Sequence, residues 1–187
     1  AALTHPRVAP LYESGETGDY LYYTREMPPG QSLDVLAASG TLLTERVLAE
    51  VIFRAANAIA HGLEKGYSYR PLALRDVFVD AEMQASIVNV FRPGDDTVRN
   101  HKAEVQSFLL LLLPLTSHGK ARGLLSDLAG RDLDWAGLSE ALDEIRSDMS
   151  ERSLMQRAEN ENIALAPTSR MKWLLGLGGA ACLVAVA

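Results

Sequence analysis

Acidic residues grouped between positions 76 and 96 are the part of the sequence best suited to bind a metal ion or to move protons. The group comprises Asp76, Asp80, Glu82, Asp95 and Asp96. Carboxylate oxygens are good ligands for Mg²⁺, and carboxylates also act as general acids and bases. Most of these residues lie in predicted turns, however, where Asp commonly bonds the local backbone. We therefore interpret most of the group as solvated turn residues.

Other reactive side chains show no pattern typical of a catalytic centre. The histidines lack metal-ligand spacing, and no nucleophile elbow surrounds Ser68 or Ser107. The histidines are His5, His61, His101 and His118. A single cysteine, Cys182, excludes an internal disulfide and cannot form a thiolate metal cluster alone. The sequence thus argues against a serine hydrolase and against a histidine or cysteine metal site.

Composition indicates an ordinary globular protein. The chain has 187 residues, of which 48% are hydrophobic and 22% are charged, enough for one domain and a tail. The formal net charge is −6, and no stripe of Lys and Arg is present. Because phosphate contacts require clustered positive charge, we do not expect nucleic acid as a partner.

Short strands and one long helix are predicted for the first half of the chain. Gly15–Asp19 is predicted to separate an extended segment from a strand over Tyr20–Thr24, and Pro28-Pro29-Gly30 should end that strand. Apolar residues at helical spacing then follow Thr44, a candidate N-cap, and continue to Leu63. Gly66 is the expected stop signal.

A small hairpin and further helices are predicted for the second half. Val77–Val79 and Ser86–Val88 are short strand-like runs joined by a polar turn. Phe108–Leu113 is apolar on every side, as in a fully buried helix, and Pro114 should end or kink it. Leucines between positions 124 and 145 predict two more short helices. Positions 149–169 are polar and indicate either a linker or an exposed helix.

An uncharged apolar run occupies the end of the sequence. Trp173–Ala187 contains fifteen residues, whereas a helix that crosses a bilayer needs about 20. We interpret positions 170–187 as the start of a transmembrane helix that the given sequence cuts short, with a buried core helix or an apolar tail as the alternative. Arg170 and Lys172 precede the run, and the positive-inside tendency then places the folded domain in the cytoplasm.

Ordered motifs in the first half resemble bacterial-type protein Ser/Thr kinases. Leu3–Val8 contains a His-Pro pair and leads into Leu11–Gly15, as in the segment that follows the helix of the kinase N-lobe. Tyr20–Leu33 is similar to a strand, the hinge and a Gly-x-Ser-Leu motif. The long helix that ends at Gly66 matches the helix before the catalytic loop. The resemblance covers about ninety residues and weakens afterwards.

The catalytic residues of that family are replaced. Where kinases have His-Arg-Asp, this chain has Tyr69-Arg70-Pro71, so Pro71 stands in place of the aspartate that accepts the substrate proton. Ala73 and Asp76 stand in place of the following lysine and the metal-binding asparagine. The resemblance implies that Asp76 is still able to ligate Mg²⁺, since a carboxylate oxygen is a suitable ligand.

The second metal-binding motif of the family is also altered. Asn89-Val90-Phe91 falls at the position of Asp-Phe-Gly, so that Asn89 offers a neutral oxygen where kinases have a carboxylate. Glu104–Phe108 follows after only about fifteen residues, and no Ala-Pro-Glu anchor is present. The resemblance therefore implies that the platform for a peptide substrate is deleted.

The hinge retains part of the family pattern. Glu26 and Met27 are the residues that would contact a nucleotide base. Arg25 directly precedes them, where kinases usually have an apolar gatekeeper. We expect Arg25 to obstruct the adenine pocket, or to point elsewhere if the strand register differs.

The resulting expectation is an α+β, protein-kinase-like fold that consists mostly of the helical C-lobe with remnant N-lobe strands. Its predicted boundaries are a kinase-like domain at 1–147, with the hinge near 25–30, a linker at 148–169, and the start of a transmembrane segment at 170–187. The leading functional hypothesis is a membrane-tethered pseudokinase that scaffolds a protein partner in signalling, without a cofactor. Two alternatives remain: an unorthodox active kinase that uses ATP and Mg²⁺, and a purely structural cytoplasmic anchor.

Overall fold

A computed structural model describes residues 3–88, 90–94, 99–116 and 119–165. The chain is of mixed helix and strand, as the α+β prediction requires. Its contacts divide it into two units, residues 1–146 and 147–187. The sites described below lie within the first unit.

An antiparallel hairpin opens the described chain. Strand β1, Leu11–Thr17, pairs with strand β2, Tyr20–Arg25. The predicted separator at Gly15–Asp19 is wrong in part, because β1 continues to Thr17 and the turn contains only Gly18 and Asp19. Gly15 is paired with Tyr22 within the strand, and a Cβ on Gly15 would lie 2.7 Å from the Tyr22 hydroxyl, so the ring occupies the space that a side chain would need.

Helix α2, Glu45–Glu64, is the central element of the first unit. Thr44 caps it by accepting a hydrogen bond from the Val47 N–H, and Gly66 follows its end with a φ of +75°. Both signals were predicted from the sequence and are confirmed. One face of the helix is fully buried, through Leu48, Val51, Ile52, Ala55 and Ile59.

Two small sheets lie beside α2. Strand β3, Gln31–Ser32, pairs with β5, Val77–Val79, which pairs in turn with β6, Ala85–Ile87. All three strands are antiparallel, and the β5–β6 pair is the predicted hairpin. Strand β4, Tyr67–Tyr69, pairs with β7, Phe91–Pro93. Helix α1, Leu33–Ala38, follows β3 directly.

Three helices complete the described chain: α3, His101–Leu111, α4, Lys120–Ala129, and α5, Trp135–Leu165. Pro114 lies just beyond α3, in a 3₁₀ turn at Leu113–Leu115, so the predicted helix end is confirmed. Positions 149–165 are helical, which is the second of the two predicted alternatives. Residues 166–169 and the predicted transmembrane start at 170–187 lie outside the described residues.

The prediction that Phe108–Leu113 is buried throughout is wrong. Phe108, Leu109 and Leu112 are buried, but Leu110 is 59% exposed and Leu111 is 42% exposed. The reason is geometric: side chains 100° apart around a helix cannot all face a core that lies on one side. Among the described helices, none combines the length and the apolar character that crossing a bilayer demands.

Candidate functional site

The loop between β4 and β5 carries the residues that stand in place of the kinase catalytic set. Gly66 lets the chain leave α2, β4 then sets the direction of the loop, and a 3₁₀ turn at Leu74–Asp76 leads into β5. Asp76 is at the end of this turn and is only 2% exposed. The backbone of Asp76 is held by two hydrogen bonds. Its N–H donates to Ala73 O at 2.9 Å, and its carbonyl oxygen accepts from the Val88 N–H at 2.8 Å.

Arg70 binds both oxygens of the Asp76 carboxylate. Arg70 Nη1 donates to Oδ2 and Nη2 donates to Oδ1, each at 2.6 Å. The Ala73 N–H also donates to Oδ2, at 2.9 Å. Such a two-pronged pair between a guanidinium and a carboxylate is among the strongest arrangements that these groups form. The loop therefore contains its own ion pair, in which Asp76 is buried and Arg70 is partly exposed.

The pKa of Asp76 reflects opposing effects. Burial alone raises the pKa of this carboxyl, whereas the hydrogen bonds from Arg70 and from the Ala73 N–H lower it. The net direction is below the usual value. Asp76 is thus ionised at neutral pH, and its negative charge is balanced by Arg70.

These contacts do not suit a divalent metal. A cation at Asp76 would have to displace a guanidinium that already holds both carboxylate oxygens, and Ala73 offers no side-chain ligand. Asn89, the second candidate ligand, lies outside the described residues. Within the described ranges, no group of three or more His, Cys, Asp or Glu side chains is placed to hold a metal ion.

Pro71 is exposed on the same loop. A pyrrolidine ring has no group that accepts a proton, so Pro71 cannot perform the role that the resemblance assigns to this position. Ala73 contributes through its backbone, by donating to Asp76 and accepting from it.

The predicted hinge residues lie in the segment that follows β2. Glu26 is exposed, and its N–H donates to Pro10 O at 3.0 Å. Met27 is 68% exposed. Arg25 is half-buried and lies opposite Leu11 at the end of the hairpin. The hydrogen bonds described for Glu26 and for Asp76 lead to different partners.

The remaining predicted carboxylates divide into two pairs. Asp80 and Glu82 lie in the turn between β5 and β6, where Asp80 Oδ1 accepts from the Gln84 N–H at 2.7 Å. The prediction of turn residues is confirmed for these two. Asp95 and Asp96 lie outside the described residues.

A buried polar cluster around Tyr69 was not predicted. The Tyr69 side chain is fully buried, and its hydroxyl donates to Glu104 and accepts from Trp135 Nε1 at 2.5 Å. His101 Nδ1 lies 3.0 Å from the same hydroxyl, and Arg99 Nε lies 3.0 Å from Glu104 Oε1. The cluster ties β4 to the start of α3 and the start of α5. No sequence signal links partners that are 32 to 66 positions apart.

Tyr69 has a structural role in this cluster. Burial raises the pKa of its hydroxyl strongly, and the hydrogen bond to Glu104 adds to this shift, while the bond from Trp135 opposes it. The hydroxyl therefore stays protonated, with its proton directed at Glu104. Because its donor and acceptor positions are engaged, Tyr69 holds the adjoining loop in place and does not serve as a proton donor for an external molecule.

Arg54 forms a second buried cluster that sequence reasoning missed. This side chain on α2 is 8% exposed and donates to Glu50, to Gln84 and to Ala85 O, the last at 3.3 Å. Arg146 binds the other oxygen of Glu50 at 2.7 Å. The cluster fixes the β5–β6 turn against α2.

Comparison with known proteins assigns no family to this arrangement. No protein-family model matches the chain, and no curated protein matches it in sequence.

Proposed function

We propose that the chain is a membrane-tethered pseudokinase whose kinase-like domain binds a protein partner in the cytoplasm and transfers no phosphate. The observation that carries the proposal is the Arg70–Asp76 pair. At the position where the resemblance places a metal ligand, the carboxylate is held by a guanidinium through two 2.6 Å bonds. Pro71, in place of the proton-accepting aspartate, lies on the same loop.

The order of elements supports the kinase-like part of the proposal. Strand β2 leads through the segment 26–30 into β3 and α1, and the long helix α2 ends at Gly66 before the loop. The β5–β6 hairpin then follows the loop. This is the order that the resemblance implies for the hinge, the long helix and the catalytic loop of a kinase.

The loop chemistry explains why phosphoryl transfer is not expected. In active kinases the protein positions metal ions that neutralise the phosphates, and an aspartate orients the attacking hydroxyl. Here Arg70 neutralises the carboxylate from within the chain, and Pro71 and Ala73 supply no ionisable side chain. The domain keeps a defined fold, so its proposed role is to present a surface to a partner.

Tethering rests on the apolar run Trp173–Ala187, which follows Arg170 and Lys172. The run lies outside the described residues. Its composition suits the start of a membrane span, and by the positive-inside tendency Arg170 and Lys172 favour a cytoplasmic position for the domain.

Nucleotide and metal titration tests the proposal. The melting temperature of the chain is measured with ATP, with Mg²⁺ and with both, and we expect no change under any of these conditions. A ligand present at one hundred times its Kd adds about 2.7 kcal/mol, which corresponds to a rise of about 5–10 °C for a chain of this size. A parallel assay with radiolabelled ATP should show no transfer to the chain or to a generic protein substrate.

The variant Arg70→Ala sharpens this test, because it removes the guanidinium that holds both oxygens of the Asp76 carboxylate. We expect Mg²⁺ to stabilise this variant and to leave the unaltered chain unchanged. Phosphoryl transfer by the unaltered chain that requires Asp76 would contradict the proposal and favour an active kinase with unusual metal ligation.

A further inference from the structure

The segment at positions 3–9 packs against the rest of the first unit before hairpin β1–β2 begins. Its buried apolar side chains are Leu3, Val8 and Ala9. Its backbone pairs with β6, since the Ile87 N–H donates to Arg7 O at 2.8 Å and the Ala9 N–H donates to Ile87 O at 2.9 Å. These contacts determine where the chain enters the hairpin.

His5 forms a turn in this segment and joins the segment to α2. The Val8 N–H donates to His5 O at 3.1 Å, and the Arg7 N–H donates to the ring nitrogen Nδ1 of His5 at 3.2 Å. A ring nitrogen accepts a hydrogen bond only when it carries no proton. The neutral ring then has its proton on Nε2, which lies 3.2 Å from Asn57 Oδ1 on α2. The neutral ring with its proton on Nε2 therefore satisfies both contacts.

Protonation of the His5 ring would replace this acceptor by a donor. The new Nδ1–H would face the Arg7 N–H, so the turn would lose its hydrogen bond and two donors would stand opposite each other. Leaving donors without acceptors costs more than the bond itself contributes. The turn thus requires the neutral ring.

The surroundings of His5 also disfavour a positive charge. The centroid of the His61 ring, on α2, lies 5.2 Å from that of His5, and Arg7 belongs to the same segment as His5. From α5 the hydroxyl of Ser139 lies 3.5 Å from Asn57 Nδ2. Burial is the main effect that lowers the pKa of His5. The hydrogen bond with Asn57 opposes it, and the charges of His61 and Arg7 lower the pKa further.

We propose that His5 is a pH-sensitive switch that holds segment 3–9 on α2 while the ring is neutral and releases the segment when the ring is protonated. The bonds of Arg7 and Ala9 with Ile87 adjoin the turn, so they open together with it. Release therefore frees the chain that leads into hairpin β1–β2. The switch requires neither a nucleotide nor a partner, so it goes beyond the proposed scaffolding function.

The direction of the pH effect follows from the two states of His5. In the released segment the pKa has its ordinary value of 6.5, and in the held segment it is lower. The advantage of the held state is fully present above the pKa of the released state and is lost as the pH falls through the lower pKa of the held state. If the held ring stays neutral, the equilibrium constant for release rises by about tenfold between pH 7.5 and pH 5.5.

NMR of the ¹⁵N-labelled full chain tests the protonation state of His5 directly. The ¹⁵N shifts of the imidazole distinguish a nitrogen that carries a proton from one that does not. At pH 7.5 we expect a bare Nδ1 and a proton on Nε2, and a pH titration should place the pKa of His5 below its ordinary value of 6.5. A proton on Nδ1 at pH 7.5, or a pKa that is not lowered, would overturn the inference.

Amide hydrogen exchange measures the release. The amides to follow are those of Ala9 and Ile87, which bond between the segment and β6, and the reference is the amide of Leu48 on the buried face of α2. Dividing each rate by the intrinsic exchange rate at the same pH removes the chemical effect of pH. Between pH 7.5 and pH 5.5, the protection of Ala9 and Ile87 should fall by at least about threefold while that of Leu48 stays unchanged. An equal fall at Leu48, or no fall at Ala9 and Ile87, would overturn the inference.

Two variants assign the pH effect to His5. In His5→Asn the side-chain oxygen can still accept from the Arg7 N–H, as Asn does in turns, but no group at this position titrates. The fall in protection between the two pH values should therefore disappear. His61→Gln is the matched control, because it removes the neighbouring imidazole and keeps His5, so the fall should remain. A fall that persists in His5→Asn, or one that is lost in His61→Gln, would assign the effect to another group and overturn the inference.

Discussion

At the scale of single residues, Arg70 and Asp76 account for how a short loop holds a carboxylate that is almost completely buried. Removing an ionised group from water is costly unless a partner balances its charge and bonds its oxygens. Arg70 does both, and it remains partly exposed, with 44% of its side-chain surface accessible. The pair closes the loop and leaves the neighbouring Pro71 at the surface.

Replacing Arg70 by alanine should lower the free energy of unfolding by about 1–3 kcal/mol at pH 7, because Asp76 then stays buried without its partner. Urea unfolding measures the change. Arg131→Ala is the control: Arg131 is 45% exposed and binds Asp127 at 2.7 Å, but Asp127 is itself 56% exposed. We expect that control to change stability by less than about 0.5 kcal/mol. Equal effects in the two variants would show that the burial of Asp76 does not change the contribution of its ion pair to the free energy of unfolding.

The same pair should make the stability of the chain depend on pH. The pKa of Asp76 in the folded state lies below its usual value, because the Arg70 and Ala73 hydrogen bonds outweigh burial. The contribution of ionised Asp76 is therefore fully present above the unfolded-state pKa of about 4 and is lost as the pH falls through the lower folded-state pKa. The difference in unfolding free energy between the unaltered chain and Asp76→Asn, followed from pH 6 to pH 2, should shrink over this acidic range. A difference in unfolding free energy that stays constant over this pH range would contradict the lowered pKa of Asp76.

At the scale of elements, the small sheet β3–β5–β6 is held by contacts that leave little space. Gly30 brings the start of β3 against Val79 O, and Arg54 ties the same end of the β5–β6 hairpin, at Ala85, to α2. Hairpin β1–β2 differs, because much of its aromatic surface is exposed, including Tyr12 at 68% and Tyr20 at 77%.

Gly30→Ala should destabilise the chain by about 2–4 kcal/mol, the sum of backbone strain and a forced shift of β3 away from β5. Gly40→Ala isolates the strain, since Gly40 also has a positive φ, +72°, but a Cβ there meets no atom within 4 Å. That variant should cost only about 1 kcal/mol. Thermal unfolding of both variants gives the comparison. If the two losses are equal, the close approach to Val79 contributes nothing.

At the scale of the whole molecule, the proposal joins a folded cytoplasmic unit to a membrane span. Residues 1–146 contain the loop and both buried polar clusters. The proposed tether lies in residues 170–187. A scaffold of this kind would act by keeping its partner-binding surface close to the membrane.

Ending the chain at Ser169 should release it from the membrane. We expect the full chain to sediment with membranes after a high-salt wash and the shortened chain to remain in the supernatant, because the apolar run that enters the bilayer has been removed. A second variant, in which Leu174 and Leu175 are replaced by Asp, keeps the length and should behave as the shortened chain does. Retention of either variant in the membrane fraction would contradict the proposed tether.

The sequence determined those features of this protein that depend on neighbours along the chain. The cap at Thr44, the stop at Gly66, the helix between them and the β5–β6 hairpin were all predicted, because helix capping, helical spacing and turn composition act over a few residues. The α+β class followed from the resemblance to protein kinases, and the mixture of helix and strand agrees with it. The sequence also shows directly that Pro71 and Ala73 have no ionisable side chain, at positions where the resemblance places an aspartate and a lysine.

Only the tertiary structure decided which side chains meet. The Tyr69 cluster joins partners up to 66 positions apart, so no spacing rule could reveal it. The same holds for the exposure of Leu110, which depends on where α3 faces its neighbours. Finding the partner of Asp76 required both the sequence and the structure. The carboxylate is visible in the sequence, but whether it faces a metal ion or Arg70 depends on how the loop folds back on itself.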